Sequence, residues 1–545
     1  MDTYTVTKKQ AIGRHGIIGS LYDIRSDQFE GGNLFNQQVP STIVLTTDCA
    51  STDYFVDDNH SQSETLNNLN IEGSMKLSLM AGVIKAEGSA KYLNQTKTDS
   101  RTVRVTFMFK AKTKHEHLQI NMKDLLNYIS SDQLQNQYAT HCVIGITYGA
   151  CVAATFEQTT TNSKQAEEVQ GSLQADYHKG LMNVSGSAKL DTTDQKNSNA
   201  HSMKITLSGD ILIDTIPATI EDVFKIFEKV PSMLAKLNDG KGKPVEFELY
   251  PLQRMSEIVK FDFKIERLVC LLISYWRKTV CIFRIIKEVT STLVSRIENI
   301  IEEMIQAKRI FNDFITKIES WEDWLPPEWT RVIYDKKAEL AGREIQTQRE
   351  LANLIQQIRC GETNEEKMIE LVDNFDTQNP CSKRSIKLFL KQNDRITTKI
   401  RSLGEFDRKA LTDEERKPNT KILLKEFTSI QDFILRHNTI DVYLLHISYD
   451  WEQKDKENWY KQLRLFSEYL DKSDGNNNLV ARVIDHDLHT DLNMKPSSCV
   501  IYQAHDGTIK SRDFYSSHCG KLSCILCTSN CFLFRSIVFK NNSRN

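Results

Sequence analysis

Nowhere in this 545-residue chain is there an apolar run long enough to cross a bilayer as a helix. The longest greasy stretch, Leu268 to Trp276, is interrupted by Ser274 and followed at once by Arg277 and Lys278, whereas a spanning helix needs about 18 or more apolar residues. The start, Met1-Asp2-Thr3-Tyr4 with Lys8, Lys9 and Gln10 behind it, lacks the apolar core of a signal peptide. The expectation is cytoplasmic synthesis, with any membrane contact acquired after folding, and with release to act on membranes from outside if the chain is a toxin. An excess of one charge is missing too. Seventy basic against 72 acidic side chains leave a net charge of −2, which removes the electrostatic case for a nucleic-acid partner. The 12 cysteines show no pairing rhythm as far as Cys499, the usage of reduced thiols in a cytosolic protein. The triplets Asn94-Gln95-Thr96 and Asn183-Val184-Ser185 therefore carry no glycosylation expectation. No phosphate-binding glycine loop, nucleophile elbow or zinc-protease motif occurs, so neither enzyme activity nor a cofactor is expected.

What is present is a pattern that occurs twice. Gly73, Ser74, Gly82 and Gly88-Ser89-Ala90-Lys91-Tyr92 return as Gly171, Ser172, Gly180 and Gly186-Ser187-Ala188-Lys189-Leu190, every landmark displaced by 98 positions. Within each copy the side chains alternate with period two, as in a strand with one apolar and one polar face. Ile71, Gly73, Met75, Leu77 and Leu79 alternate with polar residues, and past Gly82 the phase flips so that Ile84, Ala86, Gly88, Ala90 and Tyr92 become apolar. A two-residue turn at Ala81-Gly82 explains the flip and sets Leu79 opposite Ile84 in a hairpin. In the second copy Val169, Leu173 and Tyr177 pair across Lys179-Gly180 with Met182, Val184, Gly186 and Leu190. Lys76, Lys85, Glu87, Lys91, Asp176 and Lys189 fall on the polar faces.

Neither apolar face carries a charge. A Lys or Arg facing lipid at the bilayer midplane costs roughly 2 to 4 kcal/mol, and each arm has about the 9 to 11 residues of a tilted transmembrane strand. The pattern permits membrane insertion, and it equally permits two hairpins packed on a soluble core. Gly and Ala make a poor core face, yet they suit a segment that must change conformation.

Around the two copies the chain reads as strands over Thr42 to Thr47, Val103 to Lys110, Cys142 to Phe156 and Met203 to Ile213. Each copy feeds one of two equivalent strands of a central sheet. An amphipathic helix follows Pro217. Gly19-Ser20-Leu21-Tyr22-Asp23, Gly88-Ser89-Ala90-Lys91-Tyr92-Leu93-Asn94, Ala139-Thr140-His141 with Tyr148-Gly149-Ala150, and Tyr250-Pro251-Leu252 carry a resemblance. On these motifs residues 1–255 resemble the membrane-attack-complex/perforin and cholesterol-dependent-cytolysin superfamily, and within it the stonustoxin/verrucotoxin-like family of fish venom cytolysins. The resemblance implies a multidomain α+β protein with a bent central sheet. It also implies two segments that are helical in the soluble form and unfurl into hairpins lining an oligomeric pore.

Residues 256–405 turn to helix period, with Leu293, Ile297, Ile300, Ile301, Met304 and Ile305 recurring at three- and four-residue steps in a helical bundle. The family resemblance likens it to a focal-adhesion-targeting bundle. Val269 to Phe283 fits neither the family nor a clean helix. Over 420–517 strands and helices alternate, similar to the thioredoxin-like domain of the same toxins. Where a redox enzyme of that fold needs a CxxC, this chain has Tyr449-Asp450-Trp451-Glu452. A structural or interaction role is expected, and no counterpart of the toxins' PRY-SPRY recognition domain is expected in the sequence.

Residues 518–545 form a ragged tail in which Cys519, Cys524, Cys527 and Cys531 sit beside His518, without the second knuckle that a zinc site uses. Asp485, His486, Asp487, His489 and Asp491 are read as an exposed polar turn, His115 and His117 as surface residues and His141 as core. No metal site is expected.

Two functions stay open. One is a stonustoxin-like pore-former whose homo- or hetero-oligomer of related subunits inserts two hairpins per subunit into a lipid membrane. Ile71, Met75, Leu77, Leu79, Gly82, Ile84, Gly88 and Tyr92 would then form the lipid face of the first, and Val169, Leu173, Tyr177, Gly180, Met182, Val184, Gly186 and Leu190 that of the second. The other is a non-lytic intracellular scaffold of the same fold.

Overall fold

A computed structural model describes residues 6–58, 61–71, 73–94, 97–120, 123–160, 163–184, 203–264, 286–404, 422–424, 429–473, 475–489 and 498–512. They fall into two units, bounded as Met1–Lys317 with Ile333–Gln392 and as Ile318–Val332 with Asn393–Asn545.

The first unit is built on an eight-stranded sheet: β1 (Thr7–Gln10), β2 (Ser20–Asp23), β3 (Gln28–Asn33), β4 (Val44–Asp57), β5 (Thr102–Leu118), β6 (His141–Thr159), β7 (Lys204–Gly209) and β8 (Lys243–Pro251). Its centre is β6, which is buried on both faces from His141 to Ala150 and has neighbours along both edges. β5 pairs with Gly145–Thr159 and β2 with His141–Cys142. On the other edge β8 pairs with the first half and β7 with Val152–Glu157. Four long-range neighbours thus run in the order β4-β5-β6-β7, all antiparallel.

The alternation that marked β5 as a strand decides its two faces. Val103, Val105, Phe107 and Phe109 point to one core, and Met108 to another. Helices α1 (Gln62–Asn68), α2 (Gly73–Met80), α3 (Ser131–Leu134), α4 (Ser163–Val184), α5 (Ile220–Leu234) and α6 (Leu252–Lys264) are interspersed with the strands. α5 is started by a capping box in which Thr219 and Asp222 each accept from the other's backbone amide, a device that satisfies two otherwise orphaned donors. Its apolar stripe, Val223, Phe224, Phe227, Val230 and Leu234, covers the Phe107 face of the sheet.

After residue 290 the three- and four-residue apolar steps produce helices α7 (Ser291–Glu319), α8 (Pro327–Arg359), α9 (Glu366–Gln378), α10 (Lys383–Gln392) and α11 (Asp394–Gly404). Trp321 to Pro327 interrupts the run with a single 3₁₀ turn at Glu322–Trp324. Val269 to Phe283 lies outside the described residues.

In the second unit come α12 (Ile430–Arg436), β9 (Asp441–Ile447), α13 (Tyr449–Lys454), α14 (Lys456–Ser473), β10 (Leu479–Asp485), β11 (Val500–His505) and β12 (Thr508–Arg512). The sheet order is β10-β9-β11-β12, with β9 and β10 parallel and the other neighbours antiparallel. Trp459, Leu463, Phe466 and Leu470 of α14 cover one face, and Ile430 and Ile434 of α12 the other. Residues 449–452, where a redox thiol would sit, open α13.

Candidate functional site: two segments hung from one end of the sheet

Asp57 lies opposite Thr106, Thr102 opposite Thr159, and Glu157 opposite Lys204. The excursions 58–101 and 160–203, which contain the two copies of the repeat, therefore leave and return at the same end of the four-strand array.

Neither copy is a hairpin here, which corrects the local strand reading and agrees with the helical form that the family resemblance implies. The first copy is α2, a turn at Ala81-Gly82 with Gly82 at φ +75°, and a 3₁₀ helix over Gly88–Asn94. The second copy, as far as it is described, is the single helix α4. The physical reason lies in the spacing. Ile71-Met75-Leu79 and Val169-Leu173-Tyr177 recur every four residues. A step of four is even, so it stays on one face of a strand, and it is close enough to 3.6 to stay on one stripe of a helix. The same residues can form either face.

In the folded unit the first copy is core. Ile71, Met75, Leu77, Leu79, Ile84 and Tyr92 are all buried between the Met108 face of the sheet and helices α7, α8 and α9. Gly82 is exposed, and Gly88 packs against the backbone of Gly13. Asn94 holds the loop by donating from Nδ2 to the Ala86 carbonyl (2.7 Å) and accepting from the Ala86 amide (3.1 Å). A cavity of about 60 Å³ remains beneath the copy, lined in part by Ile71, Tyr92, Leu93 and Cys151, so contact with the sheet is incomplete there.

A buried ionic cluster fastens the copy to its surroundings. The Asp27 carboxylate, fully buried, takes hydrogen bonds from Lys9 Nζ (3.0 Å), Arg359 Nη1 (3.2 Å) and Ser78 Oγ (2.5 Å). Arg359 also donates to Ser78 Oγ (2.8 Å) and to the Ser74 carbonyl (2.8 Å), and Lys9 donates to Ser74 Oγ (2.7 Å). Burial opposes ionisation of Asp27, but Lys9 and Arg359 outweigh it and hold the carboxyl below its ordinary value. Lys9 is itself lowered, because burial and the Arg359 and Arg14 charges exceed the pull of Asp27. Further out, Lys76 pairs with Glu298 of α7 (2.9 Å). Glu302 of α7 accepts from Ser61 Oγ (3.0 Å) and the Ser63 amide (2.8 Å) at the start of α1. Asp27, Lys9 and Arg359 gave no signal in the sequence. Ser74 did, as a landmark of the repeat, but the strand reading placed it on the polar face.

The second copy packs on the opposite face. Val169, Leu173 and Tyr177 of α4 lie against Phe107 and Phe156, with the Tyr177 and Phe107 ring centroids 4.8 Å apart. Gly180 sits so near the Phe224 ring of α5 that a Cβ would collide with it. Met182 is exposed and Val184 ends α4. Gly186 and Leu190 lie outside the described residues.

The register of the sheet bears on what these segments could become. The midpoint of each β4–β5 pair from Ser51↔Lys112 to Asp57↔Thr106 falls between Ala81 and Gly82, the turn inferred from polarity alone. Each β6–β7 pair from Val152↔Gly209 to Glu157↔Lys204 has its midpoint between Gly180 and Leu181. That is one residue beyond the Lys179-Gly180 turn read from the sequence, and it sets Tyr177 opposite Val184 rather than Met182.

The faces agree as well. Phe55, Met108, Ala153 and Ser208 are successive cross-strand partners on one face. Projected by alternation, that face carries Ile71, Met75, Leu77 and Leu79 on the first arm, and Ile84, Gly88 and Tyr92 on the second. Val169, Leu173 and Tyr177 follow on the third arm, and Met182, Val184, Gly186 and Leu190 on the fourth. The residues named thus share one side on all four arms, while Met80, Val83 and Leu93 take the other and Lys179, no longer in the turn, joins the first.

Residues 6–266 match the family described as SNTX, MACPF/CDC-like domain. This region is a stonustoxin-type MACPF/CDC-like domain. Cytolytic toxin-beta of Scorpaena plumieri is 32% identical over 228 residues, 42% of this chain and 32% of that protein. Stonustoxin subunit beta of Synanceia horrida is 25% identical over 402 residues, 73% of this chain and 53% of that protein. The chain thus spans about half the length or less of these curated relatives. The stonustoxin structure aligns over 94% of this chain and 70% of its own with a TM-score of 0.57 at 16% identity, a likeness of fold. The family of the stonustoxin-type domain agrees with the expectation of no enzyme activity.

Residues 416–518 match Domain of unknown function (DUF7656). There the expected exposed turn at 485–491 is corrected in part. Asp485 is buried and, with Asp487, is ion-paired to Lys399, and Ser448 Oγ donates to Asp487 (2.7 Å). Asp491 and the four tail cysteines lie outside the described residues.

Proposed function

We propose that this chain is a pore-forming protein. Subunits of this or a related chain assemble side by side on a lipid membrane, and each extends the excursions 58–101 and 160–203 into two β-hairpins continuous with β4-β5 and β6-β7. The observation that carries the reading is the agreement between sheet register and sequence polarity. The existing pairs extend to turns at Ala81-Gly82 and Gly180-Leu181 without a slip, and the apolar residues named above then share one face on all four arms, with Lys179 at its rim beside the turn, while Lys76, Lys85, Glu87, Lys91, Asp176 and Lys189 take the other. Such a ribbon has the lipid-facing and lumen-facing sides of a membrane barrel. Several relatives are named as alpha or beta subunits, which supports assembly with a related chain. The thioredoxin-like reading of the second unit belongs to this proposal. Its strand order supports it, and the thiol-free sequence at 449–452 gives it an interaction role rather than a redox one.

The test exploits residues that are exposed in the helical form. Ala175 and Ser172 both lie exposed on α4, yet in the hairpin Ala175 faces lipid and Ser172 the lumen. Ala175→Lys places a charge near the midplane at a cost of roughly 2 to 4 kcal/mol, and Ser172→Lys does not. Dye release from phosphatidylcholine vesicles, with and without sterol and anionic lipid, should fall sharply for Ala175→Lys and persist for Ser172→Lys, both variants retaining the wild-type melting curve. Equal leakage from the two would sink the hairpin mechanism. No leakage from the wild type on any of these vesicles would favour the scaffold.

A further inference from the structure

At the end of the sheet remote from the two segments, three side chains from two strands converge over a third. His115 and His117 of β5 lie opposite Thr147 and Gly145 of β6, and Gly145 lies opposite Glu248 of β8. Because residue 145 has no side chain, the imidazole of His117 reaches across β6. Its Nδ1 lies 3.0 Å from Glu248 Oε2, and His115 Nε2 lies 3.7 Å from the same oxygen. The three ligand atoms are all within 4.8 Å of one another. A tetrahedral zinc ion with bonds of about 2.0 to 2.1 Å sets its ligand atoms about 3.3 Å apart, which the two distances bracket.

The surrounding groups fit the same task. The second nitrogen of His115, Nδ1, is hydrogen-bonded to Thr147 Oγ1 at 3.1 Å, the kind of outer contact that fixes a ligating imidazole. Lys8 engages the other oxygen of Glu248, Oε1, at 3.1 Å, and leaves Oε2 for an ion. The His115 side chain is 25% exposed and that of His117 40%, so an ion can enter from solvent. Reading the two histidines as unremarkable surface residues missed Glu248, which is more than 130 residues away in sequence and joins them only through the strand order β5-β6-β8.

We propose that His115, His117 and Glu248 form a site for a divalent transition metal, with zinc the best fit to two imidazoles and one carboxylate, and with a water in the fourth position. The ion staples β5 to β8 across Gly145. No bond is made or broken in the protein; the imidazoles bind in their neutral form.

The experiment uses the full chain, stripped with a chelator and titrated with zinc chloride, and in parallel with cobalt(II) as a spectroscopic substitute. One zinc per chain should bind to this site and raise the melting temperature of the wild type. His117→Ala should abolish both effects. Gly145→Ala keeps all three ligands but forces Glu248 aside, since a Cβ there collides with its carboxylate, and should weaken binding tenfold or more. The cobalt form should show d–d bands without a thiolate charge-transfer band. Zinc binding unchanged in both variants would overturn the proposal, and so would cobalt bound only with a thiolate band, which would assign the metal to cysteines such as those of the tail. Failure to bind any metal would overturn it as well.

Discussion

Single residues hold the first copy of the repeat in its helical form, and the strongest of them is Asp27. It is the one carboxylate shared by Lys9 and Arg359, and through Ser78 it reaches α2 directly. Removing one member of a buried ion pair costs about 3 to 5 kcal/mol, since the partners are left charged and unpaired. Asp27→Asn should therefore lower the stability of the first unit by about that amount, and limited proteolysis should cut within residues 58–101 earlier than in the wild type. The pH dependence has a definite sign. The folded carboxyl sits below its ordinary value of 3.8, so its contribution is fully present above that value and is lost as the pH falls through the lower, folded one. Protease resistance of the segment should be flat from neutrality down to about pH 4 and drop below it; a loss already at pH 6 would place the control elsewhere. Two glycines of α4 offer an opposite pair. Gly171 is exposed and a Cβ there meets nothing, whereas Gly180 is pressed on the Phe224 ring. Gly171→Ala should stabilise the helix by about 0.5 to 1 kcal/mol, and Gly180→Ala should destabilise it by about 1 to 3 kcal/mol through overpacking. Denaturant midpoints would separate the two.

At the scale of elements, what the sequence disclosed depended on whether one periodicity was available or two. The apolar residues of β5 alternate at 103, 105, 107 and 109, a step of two that no helix stripe can use, and the strand stands where alternation put it. The steps of three and four in α7 exclude a strand in the same way. Residues 71–79 and 169–177 carry the step of four, which satisfies both geometries, and local pattern alone could not choose. Context decides: α2 is enclosed by α7, α8 and α9, and α4 by α5, partners tens to hundreds of residues distant. The same limit hid the ionic cluster and the grouping of His115 and His117 of β5 with Glu248 of β8. Each is assembled from residues that are ordinary in sequence and adjacent only after the strand order is known. The turn at Ala81-Gly82, by contrast, was legible because a phase flip and a glycine coincided there.

For the molecule as a whole, the two copies pack on opposite faces of one sheet yet spring from the same end of it. On the proposed mechanism, assembly and insertion draw on different surfaces. β4 runs 14 residues with β5 as its strand neighbour among the described residues, and much of it is exposed, an edge of the kind that recruits another strand. Ala175 lies exposed on α4 and is not part of that strand. Chemical cross-linking on vesicles should accordingly find Ala175→Lys in oligomers of the same size as the wild type although it releases no dye. Absence of oligomers in that variant would mean that the α4 segment itself mediates assembly, contrary to the proposal.

The coincidence of strand register and turn position makes chain length a parity code. One residue added immediately after Asp58 displaces an entire arm by one place against β4, sending Leu69, Leu77 and Leu79 to the wet side, while two added residues restore the phase. One residue added between Ala81 and Gly82 merely enlarges the turn. Leakage should be lost in the first case and kept in the other two, so that on the proposed mechanism an even or odd count governs insertion as much as any particular side chain does.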